Sequence, residues 1–260
     1  MRTEAGLSAR QLAARCGWHE SKVSKLQTAK VLPSEADLRA WAAHCGMPEQ
    51  GDDLVAVWRG VEGMYVEWRR RNSTGLRHIQ RSAIPLYERT RHFRIYEPGV
   101  IPGLLQTPDY ARALMGAIIR FKGIPDDTEA AVRARMDRQR VIRGKRTFAF
   151  LLEEAAIRAR VADGDVMVGQ LGALLHAAVR PQISLGIIPS RAAERAMWPV
   201  EGFWIFDDER VLVELVSAEV TVTQPHEIGL YARTFAELAE AAVYGAAAHR
   251  VITSALDTLR

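Results

Sequence analysis

Three short helical segments, separated by residues that stop helices, fill the stretch from Ser8 to His44, and this constrains the fold more than any other feature of the chain. Ser8 reads as the N-cap of a helix running to about Arg15, with Leu12 and Ala13 as its apolar positions. Cys16-Gly17 ends that helix, because glycine enters the left-handed conformation without a steric penalty. A second helix is expected from His19 to Thr28. Its apolar residues Val23 and Leu26 are three apart and share a face, whereas Glu20, Ser21, Lys22, Ser24, Lys25 and Gln27 are all polar. Pro33-Ser34 then opens a helix from Glu35 to about His44, with Leu38 and Trp41 directed inward.

Two short helices joined by a tight glycine-containing turn are a known way to present the second helix to a DNA major groove. The groove admits one helix, and its base edges carry a distinct donor and acceptor code. The presented helix must be apolar behind and polar in front, and His19 to Lys30 has that pattern. Glu20 suits a cytosine amino group. Ser21 and Ser24 suit bases or phosphates, Lys22 and Lys25 suit guanine edges or phosphates, and Lys30, past the helix, suits a phosphate. The same pattern also occurs in folds that never touch nucleic acid. Charge does not decide the matter, since a formal net charge of +4 over 260 residues is small.

The run from Leu12 to Lys30, with its Cys16-Gly17-Trp18 break and Val23-Ser24-Lys25-Leu26 centre, resembles the core of the xenobiotic-response-element type of helix-turn-helix, the phage repressor and Cro class. Leu32-Pro33-Ser34 and Leu38 match its usual continuation. The resemblance implies a lambda-repressor-like five-helix bundle with Glu20, Ser21, Lys22 and Lys25 facing DNA. It also implies a core containing Leu12, Ala13, Val23 and Leu26. There are two departures. Ala29 stands where the family has a glycine, and only Met1 to Ala5 precede Gly6-Leu7-Ser8, where most of a helix is usual. Cys16 and Cys45, the two cysteines, read as small core residues of a reduced protein.

Beyond this unit, expected over residues 1–50, a helical and basic connector is expected over 51–95. It holds a helix near 52–70, with Trp58, Tyr65 and Trp68 as either a candidate dimer surface or core, and another over 76–90 that Pro85 kinks or divides. Residues 96–260 alternate. Phe93 to Tyr96 reads as a short strand. Helices are expected at 108–119, 127–143, 165–179, 226–244 and 246–258, and strands at 147–152, 183–188, 203–207 and 211–216. The fold class is therefore α+β, or mixed: a small all-helical unit followed by a larger α/β domain. With 48% hydrophobic and 25% charged residues, a real core is expected rather than disorder.

The block from Tyr96 to Ala113 is punctuated by Pro98-Gly99 and Pro102-Gly103. Thr107 is the expected N-cap of the next helix, with Pro108 at its first position. Together with Arg138-Gln139-Arg140, Glu153-Glu154-Ala155-Ala156 and the run Ile183 to Pro189, this block resembles the uncharacterised DUF5753-like domain of actinobacterial regulators, some of them antitoxin-like. The resemblance supplies no catalytic mechanism or ligand. It implies a transcription regulator and, as alternatives, a module holding a small co-encoded protein, or a small-molecule sensor.

Gln106, Tyr110 and Arg138 are the candidate partner or ligand residues, and an acidic ligand would suit Arg138. The competing reading makes the 96–113 block a buried corner and pairs Arg138 with Glu153 or Glu154. The seven histidines form no HExxH pair or ligand cluster, and no phosphate loop, GxGxxG or GxSxG pattern is present, so no enzyme, metal or cofactor is expected. No basic patch and apolar run opens the chain, and no stretch reaches the roughly 18 apolar residues of a membrane span. The expected partner is double-stranded DNA, bound by a cytoplasmic homodimer.

Overall fold

The computed structural model describes residues 1–55, 58, 65–67, 75–191 and 195–259, the backbone alone for 65–67. The chain forms two compact units, Met1–Tyr65 and Val66–Arg260.

The first unit holds α1 (Ala9–Cys16), α2 (Glu20–Gln27) and α3 (Glu35–His44), and helical backbone resumes over 50–55. Each boundary has a local cause. Ser8 Oγ accepts from Gln11 N at 3.2 Å while Ser8 N donates to Gln11 Oε1 at 2.7 Å, closing a capping box. Gly17 ends α1 at φ 66°, and Trp18 N donates to Ala13 O at 2.8 Å. Ser34 and Asp37 repeat the capping box at α3. Leu7, Leu12, Ala13, Val23 and Cys45 form the buried core, with Met1, Ala5, Trp18 and Trp41 packed against it. Leu26, expected inside, is only half-buried. Where the resemblance puts a first helix, Met1–Leu7 makes a single turn held by Ala5 N to Met1 O and Leu7 N to Arg2 O. That turn drops Leu7 into the core. Both cysteines are free thiols.

The second unit is built on a sheet in the order β1-β7-β6-β5-β2-β3-β4. The strands are β1 (Tyr65–Glu67), β2 (His92–Glu97), β3 (Thr147–Glu153), β4 (Ile183–Ile188), β5 (Phe203–Phe206), β6 (Arg210–Glu214) and β7 (Ala218–Val222). β2, β3 and β4 run parallel, with Phe93 opposite Phe148 and Phe148 opposite Ile183. β5, β6 and β7 return as an antiparallel meander against β2, where Phe93 faces Phe206. β3 and β4 are nearly continuous apolar runs because both faces are covered, whereas β2 alternates Phe93 and Ile95 with His92, Arg94 and Glu97. On one face, Phe93, Phe150 and Leu185 share a core with Leu171 and Leu174 of helix Gly164–Ala178 and Ile252 of helix Gly245–Asp257. On the other, Tyr96, Leu151 and Phe203 share one with Ile228, Phe235 and Leu238 of helix Pro225–Glu240.

Several expectations are corrected. Tyr65–Glu67 form β1 and not part of a helix over 52–70; residues 56–57, 59–64 and 68–70 of that expected helix, Trp68 among them, lie outside the described residues. The division expected at Pro85 is present: helices Leu76–Ser82 and Ile84–Arg89 meet at Ala83, with Pro85 in the first turn of the second. They are built into the second unit, where Leu76 and Tyr87 are buried. The 127–143 helix ends at Arg138 and tightens into a 3-10 turn, Gln139–Arg143. β7 has no counterpart among the expected strands: only Ala218 and Val222 of its five residues are buried, which leaves little pattern to read.

Candidate functional site

α2 is held by its buried side and offers its opposite side. Val23 is fully buried. Glu20, Ser21, Ser24, Lys25 and Thr28 are exposed, and their spacing of three or four makes them one stripe. Lys30 is exposed just beyond. His19 is the N-cap, its Nδ1 accepting from Ser21 N at 3.2 Å and lying 2.8 Å from Ser21 Oγ. The C-terminus closes as a Schellman turn, with Lys30 N donating to Lys25 O at 2.9 Å and Ala29 N to Leu26 O at 3.2 Å. Ala29 occupies the left-handed position at φ 52°, where its Cβ is strained and glycine would be relaxed.

Lys22 departs from the expected DNA-facing set. Its Nζ lies 2.7 Å from Asp37 Oδ1 and 4.5 Å from the centre of the Trp18 ring. It therefore points back along the α1–α2 turn to the first turn of α3. Burial acts to raise the Asp37 carboxyl, but the hydrogen bonds from Lys22 and Ser34 outweigh it and hold the group below its ordinary value. Lys22 is thus an internal tie, and Glu20, Ser21, Ser24, Lys25 and Lys30 remain on the open surface.

The second unit contains a cavity of about 420 Å³ beside the end of β2. Trp204 and Leu212 of the meander line it, together with Leu86 and Tyr87. Arg135 and Arg138 enter from helix Thr128–Arg138, and Gln106 and Gly103 from the loop after β2. Arg135 donates to Gln80 Oε1 at 3.2 Å and Gln106 Oε1 at 2.5 Å. Its pKa is lowered to about 10, by burial first and then by the like charge of Arg138. Glu97, the last residue of β2, accepts from Trp204 Nε1 at 2.7 Å. Burial pushes its carboxyl up to about 8.

Residues 80–254 match the family model described as a domain of unknown function, DUF5753, and residues 1–56 match a helix-turn-helix domain model. The chain belongs to the DUF5753 family. No curated protein matches it. Among solved structures, it aligns with TrmBL2, described as an archaeal chromatin protein with a novel mode of DNA binding, at 12% identity and a TM-score of 0.34, over 87% of this chain and 72% of that one.

The DUF5753 domain also shows what the Pro-Gly block does. Its backbone is tied down by side-chain amides. Gln106 Nε2 donates to Ile101 O at 2.7 Å, and Gln139 Nε2 to Gly103 O at 2.8 Å and Gln106 O at 2.7 Å. Gln170 accepts from Thr107 N at 2.6 Å and donates to Leu105 O at 2.8 Å. These bonds let a loop turn through the interior without orphaned polar groups. Tyr110, a candidate ligand residue, belongs to this corner: it is fully buried and its hydroxyl accepts from Ile101 N at 3.3 Å. Gln106 and Arg138 do reach the cavity. The pairing of Arg138 with Glu153 or Glu154 does not occur. Glu153 is taken by Arg195 at 2.6 Å and by the Tyr96 hydroxyl at 2.9 Å, and Glu154 by Arg158 at 2.6 Å. Tyr87, Glu97, Gly103 and Trp204 are cavity residues that sequence reasoning misses. They lie on separate elements, and no spacing in the chain links them.

Proposed function

We propose that this protein is a sequence-specific DNA-binding transcription regulator, acting as a cytoplasmic homodimer, with the DUF5753 domain as its regulatory part. One observation carries the reading: α2 seals the core with Val23 while Glu20, Ser21, Ser24 and Lys25 form an open polar stripe. A helix placed in this way fits the major groove, with serine hydroxyls and a lysine at hydrogen-bonding reach of base edges. Lys25 and Lys30 enter no ion pair among the described residues, so both are available to phosphate. A single unit of this size makes few contacts. Two copies on half-sites about 34 Å apart gain affinity through effective concentration, which favours a dimer and a palindromic operator.

The test is binding of the full-length chain to DNA from its own promoter region, against a scrambled duplex, at one fixed salt concentration. Preference for the promoter, abolished by combining Ser24→Ala with Lys25→Ala, supports the reading. Equal binding to both duplexes, or selectivity that survives the double substitution, overturns it.

A further inference from the structure

The cavity of the DUF5753 domain holds a cation that the fold leaves unanswered. Arg138 is only 8% exposed. Its guanidinium carbon sits 4.7 Å from the centre of the Tyr87 ring, and its Nε is buried with no hydrogen-bond partner. One helical turn earlier, Arg135 enters the same cavity and meets only the neutral amides of Gln80 and Gln106. Among the described residues, neither guanidinium lies within ion-pair distance of a carboxylate. Burying a cation without a counter-charge is costly, and a second cation one turn away adds repulsion.

The surroundings preserve this imbalance. Glu97 is held near neutrality at ordinary pH, since burial raises it to about 8, so it does little to offset the arginines. Glu214 and Glu219 also line the cavity, beyond ion-pair distance of either arginine. Glu214 is exposed at the end of β6, so water screens its charge from the two arginines. Gly103 lies against the two arginines. A Cβ there would sit 3.2 Å from an Arg138 terminal nitrogen and 3.4 Å from Arg135 Nε, so the glycine leaves room for both. The remaining lining is largely apolar and aromatic, with Leu86, Leu114, Leu212 and Trp204. About 420 Å³ lies within the usual range for small-molecule sites, roughly 300–1,000 Å³.

We propose that this cavity binds a small organic oxyanion, a carboxylate or phosphate carried on an apolar or aromatic body. The oxyanion bridges Arg138 and Arg135, and the body lies on Trp204 and Leu212. Arginine suits this role because its planar fork matches both oxyanions in a two-point contact. Binding can be read without DNA, so the site stands or falls independently of the regulator reading.

The experiment is calorimetric titration of the full-length chain at constant ionic strength and pH 7 with 3-phenylpropionate, phenyl phosphate and the uncharged 3-phenylpropanamide. Saturable binding of an oxyanion at least tenfold tighter than the amide is expected, with one equivalent bound per chain. Arg138→Gln removes that preference, and Arg138→Lys recovers part of it. Arg135→Gln, at a less buried position, serves as the second variant if Arg138→Gln does not fold, and it too should lose the preference. Equal binding of amide and oxyanions, unchanged binding in the folded variants, or no saturable binding of either oxyanion overturns the proposal.

Discussion

Lys22 Nζ lies 2.7 Å from Asp37 Oδ1, so a lysine on the helix proposed to read DNA ties that helix to the first turn of α3. The neighbouring Lys25 is exposed and has no such tie. The two lysines should therefore fail differently. Lys22→Ala should lower the stability of the N-terminal unit by about 0.5–1 kcal/mol, the modest size following from a lysine that is 41% exposed and screened by water. Lys25→Ala should leave stability within about 0.5 kcal/mol but weaken DNA binding and reduce the salt slope by about 1. Denaturant unfolding and DNA titration across salt would separate them. A Lys22→Ala protein with unchanged stability and lost DNA affinity would contradict the assignment.

Ala29 holds the left-handed position that closes α2, at φ 52°. Ala29→Gly should stabilise the N-terminal unit by about 1 kcal/mol, because the relief of Cβ strain exceeds the entropy that glycine adds to the unfolded chain. Equilibrium unfolding of the two proteins measures this directly. A destabilised glycine variant would mean that the Schellman turn is not formed in solution.

Gln170 is fully buried and answers two backbone groups of the Pro-Gly corner, Thr107 N–H and Leu105 C=O. Gln170→Leu keeps the volume and strands both groups, at a cost of about 2–4 kcal/mol. The loss should appear in the unfolding of the DUF5753 domain. A loss below about 1 kcal/mol would show that water or another side chain already serves these groups.

Glu97 has a folded pKa raised to about 8, against about 4.3 in an unfolded chain. Between those values the folded state holds a proton that the unfolded state has released, so wild-type stability falls as pH rises from about 4.3 to 8 and levels off above. Glu97→Gln cannot titrate and still accepts from Trp204. Its stability relative to wild type should therefore grow from about pH 5 to pH 8, by on the order of 2 kcal/mol after allowing for water in the cavity. Thermal melts of both proteins at the two pH values test this, and a pH-independent difference would place Glu97 in a solvated site.

The legible part of the fold is mostly short-range. Gly17, Ser34 and Thr107 announce their turns and caps because each acts on backbone groups within about four residues. The strands from 147 and 183 are legible because runs of apolar residues there have to be buried on both faces. β7 escapes because most of its residues are only half-buried. Tyr65 misleads because its aromatic and apolar neighbours suit a helix as well as a strand. Of the candidate site residues, the α2 stripe follows from helical spacing alone, whereas the cavity draws on elements that no local pattern connects.

Read alone, the amino-acid order is enough for the helix-turn-helix unit, the exposed serine and lysine stripe of α2 and the mixed α/β character of the second unit. Caps, breaks and apolar periods are local, and each carries its own free energy wherever the rest of the chain goes. The partners of the long charged side chains had to wait for the three-dimensional packing. Lys22 meets Asp37 from 15 residues away, and Glu153 meets Arg195 from 42. Arg138 meets no carboxylate among the described residues and faces a cavity whose walls come from several separate elements. A flexible side chain several bonds long can reach any of several neighbours, and which one it finds depends on the packing of the backbones that carry them.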